Sequence, residues 1–252
     1  VSDDNQPDKP HRSHRLRRGH KAETERLAAE AAKNAPKKRV VKTARQLDGE
    51  AFKQVDAMLA SFAQRRFGPL ITEAAKGFFG NASADEVKLP ELQQAFALYF
   101  AYGFRDGQGT RIIDMFGKFG LELDFEQKRV LEAVLRTRLV VFQLERKEDA
   151  NKQMQGRDLQ RNEPLTMLDH NAYAQSQPGD VLLAYMFPVG DLWRPLGLAT
   201  KVPRARVPSL RNGLDKLAAE QGFAPAALVE RRPAQVFWLA YRVADYNIRA
   251  KV

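Results

Sequence analysis

The apolar residues of this chain change period twice, and that constrains its fold more than any other feature. From Gln46 to about Arg138 they recur at three and four, as in Phe52, Val55, Met58, Leu59, Phe62 and Ala63. That spacing lines one face of a helix. At Leu139 the period becomes two in LVVFQLER, KQMQGRDLQ, EPLTMLD, DVLLAYMFPV and LWRPLGLATKV, separated by turns such as Gln177-Pro178-Gly179-Asp180. From SLRNGLDKLAAEQG onward the helical period returns, with Leu210, Leu214 and Leu217 on one face and Phe237, Ala240, Tyr241, Ala244 and Ile248 on another. The expected fold is α+β: a helical domain over 46–138, a small antiparallel sheet or barrel over 139–203, and a helical segment over 204–252.

Within 46–138 the pattern predicts five helices. The first stops at Gly68 and Pro69, the second runs to Gly80, NASADEV is a loop, and LPELQQAFALYFAYGFRD is the third. TRIIDMFGKFG is a short fourth, and DFEQKRVLEAVLRTR a fifth with Phe125, Val130, Leu131, Val134 and Leu135 facing inward. The rings of Phe78, Phe79, Phe96, Tyr99, Phe100, Tyr102 and Phe104 are at helical spacing among apolar neighbours, which predicts core packing rather than base stacking. Trp193 is expected to be partly exposed, and Trp238 to pack between helices.

Residues 1–45 are of another kind. They carry 13 Lys and Arg against 6 Asp and Glu, a net of +7, and leave 28 against 25, or +3, for the rest. They contain no aromatic residue, so the segment is expected to be a disordered basic arm, in which KAETERLAAEAAKN could fold to a helix on a surface. HRSHRLRRGH sets four arginines and three histidines in ten residues without an acid. Such a segment binds polyanions by releasing condensed counterions, with steep salt dependence and little sequence preference. The expected phosphate contacts are Arg12, Arg15, Arg17, Arg18, Lys21, Lys37, Lys38, Arg39, Lys42 and Arg45.

Other chemistry is poorly supplied. There is no cysteine, so thiolate zinc sites, iron-sulfur clusters and cysteine nucleophiles are excluded within this chain. No phosphate loop, dinucleotide fingerprint or HExxH is present, and no catalytic residue, metal ligand or cofactor is assigned. The cations around His11, His14 and His20 would repel a metal ion. Asp169-His170 resembles a base with its orienting acid, but no nucleophile accompanies it, so a surface turn histidine is expected. Arg157-Asp158 is read as an ion pair fixing a strand turn, and Asp180 as the last residue of a type II turn. The acidic stretch from Glu122 to Glu126 reads as a solvated helix start. SLRNGLDKLAAEQG followed by APAALVERR imitates a helix-turn-helix with Arg231-Arg232 near phosphate, yet two helices packed on the core explain it more simply.

Five segments, RRFGPLITEAAKGFFG, YFAYGFRDGQGTRIIDMF, RVLEAVLRTRLVVFQLERKE, GRDLQRNEPLTMLD and QPGDVLLAYMFPV, together resemble a family of uncharacterised bacterial proteins. In that family a helical region leads into a small β module with RDL and PGD segments, and some members carry a SEC-C zinc motif. The resemblance spans roughly 47 to 200 and implies architecture, not activity. This chain departs from it in three places: the tryptophan and acidic residues expected near YFAYGFRD are missing, Asn162 stands where a turn glycine is usual, and no cysteine could form the zinc motif.

The functional expectation is a non-enzymatic, nucleic-acid-associated protein that docks on RNA, in preference to DNA, or on a ribonucleoprotein such as the ribosome. The alternatives are an adaptor for an acidic protein surface, or an enzyme with a site between the helical and β parts. No run reaches the roughly 18 apolar residues of a membrane span, and VSDDNQPDKPH lacks the apolar core of a secretory signal. No membrane partner and a cytoplasmic location are expected. The initial Val leaves room for a preceding sequence.

Overall fold

A computed structural model of the protein describes residues 47–244 except 81, 120 and 198. All of them belong to one compact unit. Helix α1 (Gly49–Phe79) begins at Asp48, whose Oδ1 accepts from the Glu50 and Ala51 amides at 2.8 and 2.9 Å. It buries Ala51, Val55, Leu59, Ala63, Ala74 and Phe78. The two helices expected on either side of Pro69 form one kinked helix, broken at Phe67 (φ −121°, ψ 16°). Proline removes one amide donor and crowds the preceding turn, which bends the axis without ending it.

The stretch NASADEV holds a short helix, α2 (Ala84–Val87), with a reciprocal capping box between Ser83 and Glu86. Helix α3 (Pro90–Leu98) passes into a π-helical turn at Tyr99–Gly103, followed by α4 (Ile112–Gly117) and α5 (Phe125–Leu135). Val130 and Val134 face the core as expected, but Phe125 is 69% exposed. It is the first residue after the Asp124 cap, where the helix has not yet turned its apolar face inward.

Six strands follow: β1 (Arg138–Glu148), β2 (Gln153–Asp158), β3 (Glu163–Leu168), β4 (Val181–Val189), β5 (Leu192–Pro195) and β6 (Thr200–Val202). Between β3 and β4 lies the helix α6 (His170–Gln175), which the alternating pattern did not announce. The segment expected as a fifth strand is interrupted after Pro195, producing β5 and β6. Strands β1, β2 and β3 form an antiparallel meander. β3 then runs parallel to β5, β5 antiparallel to β4, and β4 antiparallel to β1, which closes the barrel. β6 is an extra strand beside β4. The fold is therefore α+β with a closed, mixed five-stranded barrel. Its strand path, with a helix between β3 and β4, is that of an OB-type barrel.

Alternate residues of β1 and β4 point to opposite sides. Val140, Phe142, Leu144, Leu182, Ala184 and Met186 fill the barrel with Met154, Leu165 and Met167. Leu139, Val141, Leu183, Tyr185, Phe187 and Val189 instead join the helical core with Val55, Leu59, Ile113 and Val134. Both faces of β4 are covered, which explains an unbroken apolar run in place of strict alternation.

The chain ends in α7 (Val207–Gln221), α8 (Pro225–Arg231) and α9 (Pro233–Val243). Trp238 packs against Phe78 and Tyr241 and donates its indole N–H to the Phe78 carbonyl. Phe78, Phe100, Tyr102 and Phe104 are buried, and Phe79, Phe96 and Tyr99 pack half-buried beside them. Among the described residues, no helix is long and apolar enough to cross a membrane.

Arg242 of α9 clamps Glu86 through both guanidinium nitrogens, Nη2 at 3.0 Å from Oε2. The arginine hydrogen bond holds the Glu86 carboxyl down at about 2, against the opposing effect of partial burial. A depressed folded-state pKa contributes stability that is present above the unfolded carboxyl value and is lost as pH falls towards about 2. Glu86→Gln should therefore flatten the acid limb of stability between about pH 4 and 2, where the parent loses this contribution. Denaturant midpoints across that range check it, and parallel limbs would show the pair to be inert.

Candidate functional site

The ten arm cations, Arg12, Arg15, Arg17, Arg18, Lys21, Lys37, Lys38, Arg39, Lys42 and Arg45, lie outside the described residues, as do His11, His14 and His20. The remaining candidates are on the body.

Arg157 and Asp158 do not pair with each other, because neighbours on a strand point to opposite sides. Arg157 faces outward, donates to Asn162 Oδ1 at 2.7 Å and lies 3.5 Å from Glu145. Asp158 has no exposed surface and accepts from the Gln160 amide at 3.0 Å and from Arg161 Nη1 at 2.9 Å. Arg161 also reaches the Leu139 carbonyl at 3.2 Å and Glu230 on α8 at 3.0 Å. The turn-fixing role expected of this segment is present, with different partners. Asn162 supports it in the left-handed region, φ 56°, which asparagine tolerates better than most residues.

The Gln177-Pro178-Gly179-Asp180 turn is closed by the Asp180 amide on the Gln177 carbonyl at 3.0 Å, with Gly179 at φ 96°. These are the features of the expected type II turn. Asp169 caps α6 through the Ala172 amide at 2.6 Å, so its carboxylate is engaged, and His170 is an exposed residue at the start of that helix. The guanidiniums of Arg231 and Arg232 lie over the Phe223 ring at 5.6 and 5.7 Å. Trp193 is half-buried beneath Arg138, whose guanidinium is 4.5 Å from its centroid. The hydroxyls of Tyr102 and Tyr185 are pushed far up by burial, which keeps both neutral.

The outer face of β2 presents Gln153, Gln155 and Arg157, with Arg146 of β1 donating to Gln155 Oε1 at 2.5 Å. No ring projects from it. At the β1–β2 end the chemistry changes. The ammonium groups of Lys147 and Lys152 lie 4.5 and 5.2 Å from the ring centroid of Tyr173 on α6, which donates its hydroxyl to Asp149. That hydrogen bond, followed by the charge of Lys152, holds the Asp149 carboxyl below its usual range, and the same hydrogen bond, followed by burial, holds the Tyr173 phenol above its own. Lys147 donates to the Ser176 carbonyl at 2.7 Å, Lys201 to that of Gln175 at 2.9 Å, and Arg211 to Gln143 at 2.7 Å. These bonds spread cations along one end of the barrel. Linear reading missed this cluster, whose signal was a lysine on each side of the turn in KEDANK.

A second feature is a cleft of about 420 Å³ between the start of α1 and the barrel, lined by Leu47, Phe52, Lys53, Leu168, His170 and Arg194 among others. No protein-family model, curated protein or solved structure matches this chain.

Proposed function

We propose that the protein docks on RNA, or on a ribonucleoprotein, through the basic segment at 1–45, with the barrel end around Tyr173 as a second contact. The observation that carries this reading is the charge of residues 9 to 45, where 13 cations face 3 acids. The barrel supports it by analogy of architecture alone: OB-type barrels bind oligonucleotides on the strand 2–3 face and neighbouring loops. Here the loop between β1 and β2 carries Lys152, and Lys147 precedes it. The ammonium groups of Lys147 and Lys152 beside Tyr173 set a field that attracts phosphate.

The test is fluorescence anisotropy of full-length protein with a labelled oligouridylate between 50 and 300 mM salt. For single strands the logarithmic salt slope is about −0.7 per phosphate neutralised. Replacing Arg12, Arg15, Arg17 and Arg18 together by glutamine should reduce its magnitude by about 3. Lys147→Gln with Lys152→Gln should reduce it by about 1. An unchanged slope in the arm variant would remove the arm from the interface. Capture of the same proteins with and without nuclease would favour an acidic protein partner instead.

A further inference from the structure

The cleft beside α1 gathers three cationic or ionisable side chains from three distant segments: Lys53 on α1, His170 on α6 and Arg194 on β5. Two acids share the wall and keep their charge, yet neither forms an ion pair with Lys53 or Arg194 among the described residues. Asp48 accepts the first amides of α1, and Asp169 accepts the Ala172 amide. Arg194 is half-buried, and its Nε–H is shielded from solvent and has no acceptor among the described residues. The rest of the wall is apolar, with Phe52 stacked on Phe187 at 5.7 Å and 24°, and Leu168, Pro195 and Leu196 beside them.

We infer that this cleft is a binding site for a phosphate monoester carrying an apolar ring, a ligand of mononucleotide size. Charge and shape both bear on the class. Lys53 and the Arg194 fork offer two cationic donors from separate elements to one head, a pairing suited to phosphate oxygens. A volume of about 420 Å³ is within the usual range for small-molecule sites, which are mostly apolar with a few placed polar groups. The head is held by Arg194 and Lys53 with His170 at the rim, and the ring lies against Phe52 and Leu168. This inference does not rest on the RNA reading, since it uses none of the arm cations and none of the Tyr173 cluster.

The experiment is isothermal titration of full-length protein with adenosine monophosphate, adenosine and inorganic phosphate at 150 mM salt. Adenosine monophosphate should bind one to one, and each fragment at least tenfold more weakly. Arg194→Gln should weaken it at least tenfold and Lys53→Gln about threefold, with thermal midpoints recorded to show that both variants remain folded. Lys128→Gln, an exposed cation on α5 outside the cleft, should change nothing. The arm variant with four glutamines is the decisive control, because a basic arm attracts any nucleotide. Retained affinity in that variant, together with its loss in Arg194→Gln, supports the cleft. Affinity lost with the arm charges but kept in Arg194→Gln and Lys53→Gln overturns it, as does adenosine binding as tightly as its monophosphate.

Discussion

Asp158→Ala should cost about 3–5 kcal/mol, the range for removing one partner of a buried charge pair. Asp158 is wholly buried, and Arg161, its partner at 2.9 Å, has a side chain only 7% exposed. Without the carboxylate, the guanidinium keeps the Leu139 carbonyl and Glu230 as acceptors, and the Gln160 amide loses its own. At about 2–4 °C per kcal/mol for a chain of this size, the thermal midpoint should fall by roughly 10 °C. Arg157→Gln, one residue earlier, removes a half-exposed pair with Glu145 and should cost about 1 kcal/mol or less. Equal losses in the two variants would show that the internal network does not hold the β2–β3 turn to α8.

The next largest effect is expected at Gly156, midway along β2 and directed into the barrel. A Cβ there would lie 2.0 Å from the Gln143 carbonyl oxygen and 2.8 Å from the Phe142 ring. The nearer obstacle is backbone, which cannot swing aside as a side chain can, so β1 would have to separate from β2. Glycine inside a strand marks this kind of close approach. Overpacking usually costs about 1–3 kcal/mol, and Gly156→Ala should reach the upper end. The urea midpoint should fall while the slope stays near that of the parent. Gly68→Ala, where nothing lies within 4 Å, should leave the midpoint unchanged or raise it slightly. A Gly156→Ala midpoint equal to that of Gly68→Ala would mean that the strands have slack to spare.

Element type was legible wherever one physical rule dominated. The change of period at Leu139 marks the strands because side chains on a strand alternate, and the run Val181 to Val189 announces a strand covered on both faces. Phe125 misled because periodicity counts an apolar residue as inward even in the first helical turn. The six residues of α6 were too short for a period to register between two strands. The parallel β3–β5 pairing has no local signature, since it joins Met167 to Trp193 across an intervening helix and strand. The cleft was less legible still. Lys53, His170 and Arg194 are ordinary residues in their own segments, and only barrel closure against the start of α1 sets them around one space.

That parallel contact has a kinetic side. The meander of β1, β2 and β3 needs only short turns, and so does the β4–β5 hairpin around Gly190, so each can form soon after collapse. Met167 and Trp193 must wait for both pieces to meet, and theirs is the sole bridge between β3 and β5. Loop closure taxes contacts of long sequence separation before they return any stability. This contact and the β1–β4 pairing both join the two pieces, and the β3–β5 side is the narrower of the two seams, one residue pair wide, beside Arg194. Whatever binds Arg194 would also fasten the narrowest seam of the barrel.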